Sequence, residues 1–205
     1  MFQVEKIARS LLDALVAHFE RDANTPKIVL EGAGVHWDCH VTRQDNQVSI
    51  YSCDCSYQPD EQGRTEEFIV SYLHQKQAVA CGRTHDRKVV LQSVATWLNH
   101  PSKTQLYAGF DFVDRGLRQL QAAERHWLQA FPQLEKLPRL LDDQGSGFAH
   151  YTISHRNRAC TCTSIGEAGA LCWQFVWDGC VLFETLAVPH ATAEVLKRYL
   201  IDQEA

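Results

Sequence analysis

The hydrophobic period of this chain changes in the same order twice, and few folds satisfy that order. Val4, Ile7, Ala8, Leu11, Leu12, Leu15, Val16 and Phe19 fall at i, i+3, i+4, i+7, the apolar stripe of an amphipathic helix. Asn24, Thr25 and Pro26 end it. A short apolar run over 27–31 and the Gly32-Ala33-Gly34 break follow. The period then drops to two, giving strands at 35–42, 47–55, 68–73 and 78–83. Thr84 is placed to cap a helix from about residue 86 to 98, striped by Val89, Val90, Val94, Trp97 and Leu98 and stopped by Asn99-His100-Pro101.

From there the order repeats. Leu117, Leu120, Ala123, Trp127 and Leu128 predict a helix over about 114–130. Asp114 stands at its start, where a negative charge is favoured. Pro132 and Pro138 punctuate the link after it, and residues 142–147 read as a loop. Strands follow at 148–155, 159–165, 170–177 and 180–188, with Asp178-Gly179 a strong two-residue turn signal. Pro189 and Thr192 open a last helix. Cys53-x-Cys55 and Cys160-x-Cys162 fall in equivalent strands. The expected fold is therefore α+β, a tandem pseudo-duplicate of two helix–four-stranded antiparallel sheet–helix units, 1–102 and 103–205. The two sheets either stay separate or join edge to edge into one long sheet with helices on one face.

Composition agrees and narrows the class. A chain of 205 residues suits two units of roughly 100 residues each. With 45% hydrophobic and 22% charged residues it has material for a core and no signature of disorder. A net charge of -5 argues against a general nucleic-acid binder and gives no reason to expect a membrane surface as partner. No apolar stretch approaches the ~20 residues of a membrane span. Glu5, Lys6, Arg9 and Asp13 interrupt the first segment, so no secretory signal is expected. Eight cysteines in such a chain are expected to be reduced thiols of a cytoplasmic protein, most acting as small hydrophobes.

One constellation carries chemistry. If Asp45-Asn46 forms a two-residue turn, Cys53 faces Asp38, Cys55 faces His36 and Tyr51 faces His40. Alternation then gathers His36, Asp38, His40, Tyr51, Cys53 and Cys55 on one face and leaves Trp37, Cys39, Val41, Val48 and Ile50 for the core. Opposed Cβ atoms lie ~4.5–5.5 Å apart. Cys53, Cys55 and His36 could hold Zn at that spacing, with Asp38 or His40 as fourth ligand or support. The same proximity would let His36 act as base toward a Cys55 nucleophile. The plainer reading is a polar sheet face with two thiols. In the second half an Arg156-Asn157 turn sets Cys160 opposite Ile153 and Cys162 opposite Tyr151, an apolar setting for buried thiols.

The chain carries no nucleotide-binding loop, no nucleophile elbow and no H-E-x-x-H pair. The reading is a non-enzymatic cytoplasmic binding protein without a cofactor, its partner more a protein than a small ligand, with neither nucleic acid nor membrane involved. In element order and charge it is generically similar to chaperone-, adaptor- or immunity-like proteins. The alternatives are a thiolate–imidazole metal-binding protein and a cysteine-dependent enzyme using His36 and Cys55.

Overall fold

The computed structural model describes residues 3–20, 22–57, 59–143, 148–165, 170–186 and 189–201. The fold is α+β. Its strands form two five-stranded antiparallel sheets, each within one of two compact units, Met1–Asp114 and Arg115–Ala205. The alternative of a single continuous sheet is thereby set aside.

In the first unit, α1 (Gln3–Phe19) turns Ile7, Ala8, Leu11, Leu15 and Phe19 inward, the face its periodicity predicts. Five strands follow as a meander in chain order: β1 (Lys27–Ala33), β2 (His36–Arg43), β3 (Asn46–Asp54), β4 (Glu66–His74) and β5 (Gln77–Thr84). Next come α2 (Arg87–Asn99) and α3 (Lys103–Gly109). Asp86, rather than Thr84, caps α2 by accepting from the Val89 N–H, while the Thr84 hydroxyl accepts from Asp86 N–H. Helix α1 packs on β1–β3 and α2 on β2–β4. They share one sheet face and bury Cys39, Val41, Val48, Ile50, Phe68, Val70 and Tyr72 against it. Arg43 joins helix ends to the sheet: its guanidinium donates to Asp22 and Asn99 and lies over the Phe19 ring.

The second unit repeats the order: α4 (Arg115–Ala130), a 3-10 turn (Pro132–Lys136), β6 (Arg139–Asp143), β7 (Ala149–His155), β8 (Arg158–Ile165), β9 (Ala170–Trp177), β10 (Cys180–Leu186) and α5 (Pro189–Leu200). Its core holds Leu120, Trp127, Tyr151, Ile153, Cys160, Cys162, Trp173, Phe175 and Leu196. Trp127 meets Trp173 edge-on at 4.9 Å between centroids. The expected pairs Tyr151↔Cys162 and Ile153↔Cys160 are formed. Asp178 and Gly179 take the positive φ values of a tight hairpin turn.

Three expectations need correction. Each sheet has five strands, not four. The short run before the first hairpin is β1, paired with β2 from Lys27↔Thr42 to Ala33↔His36. Gly32 permits that pairing, since a Cβ there would lie 2.2 Å from the His36 carbonyl oxygen. The missed strand of the second unit is β6, concealed by the preceding proline and its closing aspartates; residues 144–147 of the expected loop lie outside the described residues. Residues 103–114, assigned by sequence to the second half, pack with the first: Leu106, Phe112 and Val113 belong to its core. Val113 bridges to Gly82 on the outer edge of β5, where a Cβ would come within 2.6 Å of the Phe112 carbonyl oxygen.

Asp114 locks this segment. It is 1% exposed and holds φ +46. Its N–H donates to the Cys81 carbonyl at 2.6 Å, and its carboxylate accepts from Cys81 N–H (2.8 Å), Tyr107 Oη (2.6 Å) and Lys103 Nζ (2.8 Å). Three donors, the Cys81 N–H, the Tyr107 hydroxyl and the Lys103 ammonium, offset the cost of burying this carboxylate.

Trp97 offers a direct test of the packing of α2. It is 1% exposed, meets the Tyr72 ring at 5.8 Å and donates from Nε1 to the Leu73 carbonyl. Trp97→Ala should cost about 3–5 kcal/mol. An unchanged denaturant midpoint would show that α2 is not a core element.

Candidate functional site

The helices cover one face of the first sheet, and alternation assigns the residues of the other. Two rows cross all five strands on the helix-free face: Glu31, Asp38, Tyr51, Ile69, Arg83, and beside it Val29, His40, Ser49, Ser71, Cys81. Cys53 and Glu67 begin the next row. The face assignment of His36, Asp38, His40, Tyr51 and Cys53 therefore agrees with the sequence, and Cys39, Val41, Val48 and Ile50 are core as expected.

The pairing differs. Gln44 takes φ +53 and the hairpin turns at Gln44-Asp45, not at Asp45-Asn46. Asn46 is instead the first residue of β3, buried and bonded through Oδ1 to His74 Nδ1 at 2.8 Å. The shift is two residues, so every side chain keeps its face while its opposite number changes. Asp38 faces Tyr51 instead of Cys53, and His40 faces Ser49 instead of Tyr51. His36 stacks on Tyr51 at 5.9 Å, with its Nδ1 3.2 Å from the Tyr51 hydroxyl. His40 Nε2 lies 3.9 Å from Glu31. Among the described residues no group of three or more His, Cys, Asp and Glu side chains is placed to hold one metal ion.

The two thiols instead meet a carboxylate. Cys53 pairs across with Glu67, and Cys55 Sγ points at Glu67 Oε2 from 3.9 Å. Glu67 is only 8% exposed. Its Oε1 lies 3.4 Å from Arg83 and 3.9 Å from His85 Nε2. The other ring nitrogen of His85 faces the Glu66 carbonyl at 2.7 Å, which can only accept, so Nδ1 carries the proton. The result is a half-buried Cys53–Cys55–Glu67–Arg83–His85 cluster. Sequence reading missed Glu67 because the strand pattern begins at Phe68, one residue after the acid that interrupts it, and missed Arg83 and His85 because they come from β5 and the turn after it. Carrying the alternation of β3 across to β4 finds Glu67.

The electrostatics of this cluster set its chemistry. Burial pushes the Cys53 thiol up to about 11, with the Glu67 carboxylate adding to the rise and Arg83 opposing it. Cys55 is raised by burial and then by Glu67, again against Arg83. Both therefore stay protonated near neutrality, the opposite of what an activated nucleophile needs. The order along the cluster is thiol, carboxylate, imidazole, so the carboxylate rather than His85 adjoins the sulfur. His36, the base expected for Cys55, is placed against Tyr51. The face carries donors on Arg83 and Tyr51, acceptors on Glu67, Glu31 and Asp38, and apolar groups on Val29 and Ile69.

No protein-family model matches this chain, and neither does any curated protein or solved structure.

Two measurements test the electrostatics. Glu67→Gln removes the charge that raises both thiols, so alkylation of Cys55 near pH 8 should quicken about 3-fold, and Arg83→Gln should slow it. The reverse ordering, read by mass spectrometry, would refute the assignment. The second is alkaline stability. Cys39, buried in the core, is pushed up to about 12 and Cys53 to about 11, from an ordinary 9.0. The folded state holds these protons more tightly, so the stabilisation is complete below pH 9 and is lost as pH climbs toward 11–12. Cys53→Ser should make the fall above pH 9 shallower.

Proposed function

We propose that the chain is a non-enzymatic, cytoplasmic binding protein and that the helix-free face of the first sheet, centred on Tyr51 and Ile69, holds a protein partner. The observation that carries this reading is the two rows of mostly half-buried side chains across five strands, in which Val29, Tyr51 and Ile69 are set among hydrogen-bonding groups. At strand and residue spacings of ~4.8 and ~3.3 Å, the two rows cover roughly 19 by 7 Å, and the whole face, nine residues long at β3 and β4, roughly 19 by 30 Å. The whole face approaches one side of a standard protein–protein interface, ~800 Å². A partner there would meet an aromatic anchor in Tyr51 and a charged, buried rim at Glu67 and Arg83. The raised thiols favour binding over cysteine catalysis. All eight cysteines stand as free thiols, as a reducing compartment would keep them. No helix among the described residues is long and apolar enough to cross a membrane.

Affinity capture from the native host, with the parent and the Tyr51→Ala/Ile69→Arg variant side by side, tests the reading. One stoichiometric partner should be retained by the parent and lost at least about 10-fold by the variant, whose unfolding midpoint should stay near the parent's. Capture of nothing, or equal capture by both, counts against it. Elemental analysis of protein purified without chelator runs alongside. One equivalent of zinc, lost in Cys53→Ser, would shift the function to a metal site on Cys53, Cys55, His36 and Asp38.

A further inference from the structure

The four outer edges of the two sheets are not treated alike. The edge of β5 is closed by Val113 and by the Asp114 clasp on Cys81. Strand β10 has a register shift between Val181 and Phe183, a device that twists an edge away. Strand β6 is five residues long and ends on Asp142-Asp143, a short charged edge of the kind that resists pairing. Among the described residues only β1 is left as a regular seven-residue edge with an apolar centre, Ile28-Val29-Leu30, all three half-buried.

The sequence of β1 is complementary to itself. Lys27, Val29 and Glu31 share the helix-free face, and Ile28 and Leu30 lie on the other, packed partly against the core. We infer that the chain pairs with a second copy of itself through β1, antiparallel about a two-fold axis at Val29. That register sets Lys27 opposite Glu31 of the other copy, twice by symmetry. Val29 meets its own counterpart between the two charge pairs, and Ile28 meets Leu30 on the helix side. Opposite charges directly across a strand pair are favourable and like charges are not. The apolar margin of each core continues into the other across the join. Pro26, which has no N–H to give, ends the ladder one residue before Lys27. The contact is isologous and closes on itself. A foreign strand has no such reason to match, since the lysine and glutamate two residues either side of Val29 complement each other. The inference goes beyond the partner reading, because it uses the backbone edge of β1; Val29 and Glu31 lie on both surfaces, whereas Tyr51 and Ile69 belong to the partner face alone.

Charge reversal decides it. Lys27 and Glu31 are exposed, so reversing them leaves the fold intact. Sedimentation velocity over a range of concentrations should show a dimer of the 23.3 kDa chain. Lys27→Glu or Glu31→Lys alone puts like charges across both pairs and should weaken the dimer at least about 10-fold. The double reversal, Lys27→Glu with Glu31→Lys, restores complementarity and should restore the dimer. A parent that is monomeric at every concentration overturns the inference, whether or not it captures another protein. So does a dimer that both single variants leave unchanged, or a double variant as weak as the singles.

Discussion

The hydrogen bond between Asn46 and His74 decides where the β2–β3 hairpin turns, and the candidate face depends on that turn. Asn46 is a good turn residue by type, able to take positive φ. Here it lies opposite His74 in the β3–β4 ladder, and its side chain bonds the His74 ring. A residue held there by β4 cannot also belong to the β2–β3 turn. The turn moves to Gln44-Asp45, and Gln44 accepts the left-handed conformation instead. From that step follow Asp38 against Tyr51, His36 stacked on Tyr51, and the separation of the histidines from the Cys53–Glu67 row. A local preference has given way to a tertiary partner.

The same step shows what a sequence can reveal here. Face membership depends only on parity, and a shift of two preserves it, so the core set Cys39, Val41, Val48 and Ile50 was legible. Pairing depends on the absolute register, which no single strand carries. At Arg156-Asn157 and Asp178-Gly179 the register was legible as well: the Asp178 N–H donates to the Asn157 carbonyl, a contact that leaves both turns where the sequence puts them. Trp37 shows the limit of parity: it is on the core side yet only half-buried, because α1 meets it with the exposed Arg9 rather than with its apolar stripe. Arg9 lies over its ring at 5.6 Å, and its Nε1 donates to the Gly34 carbonyl. Helix α3 escaped notice because seven residues with one buried side chain, Leu106, do not make a period. The Glu67 cluster escaped because its members come from three strands and the turn before α2.

Helices on one side of a five-stranded sheet leave a physical problem on the other. A sheet face open to water is usually polar, with short side chains. In the second unit Thr152 and Thr161 pair across β7 and β8 and Gln174 bonds to Glu184, with the exposed Leu140 at the end of that row and Val176 against Val181 in the next. In the first unit the face carries Tyr51, Ile69 and two thiols beside a buried glutamate. What distinguishes the first face from the second is thus the Glu67 carboxylate held between thiols and Arg83, rather than apolar surface as such.

The cysteines sharpen that contrast. Equal spacing suggests that Cys53-x-Cys55 and Cys160-x-Cys162 are counterparts, and both pairs do belong to the third strand of a meander or its immediate end. The structure gives them different positions. The positive-φ residues that open the two matching hairpin turns are Gln44 and Arg156, 112 positions apart. Carried back by that offset, Cys160 and Cys162 fall on Val48 and Ile50, which are also fully buried on the helix-covered face. Burial alone raises Cys160, and it is the leading cause for Cys162, as for a small apolar side chain. Cys53 lies on the opposite face, at the position of Ile165, the last residue of β8, and Cys55 falls past that strand's end; their thiols respond to Glu67 and Arg83. One C-x-C pair is buried in a core as Val48 and Ile50 are, and the other belongs to the open face of the first unit.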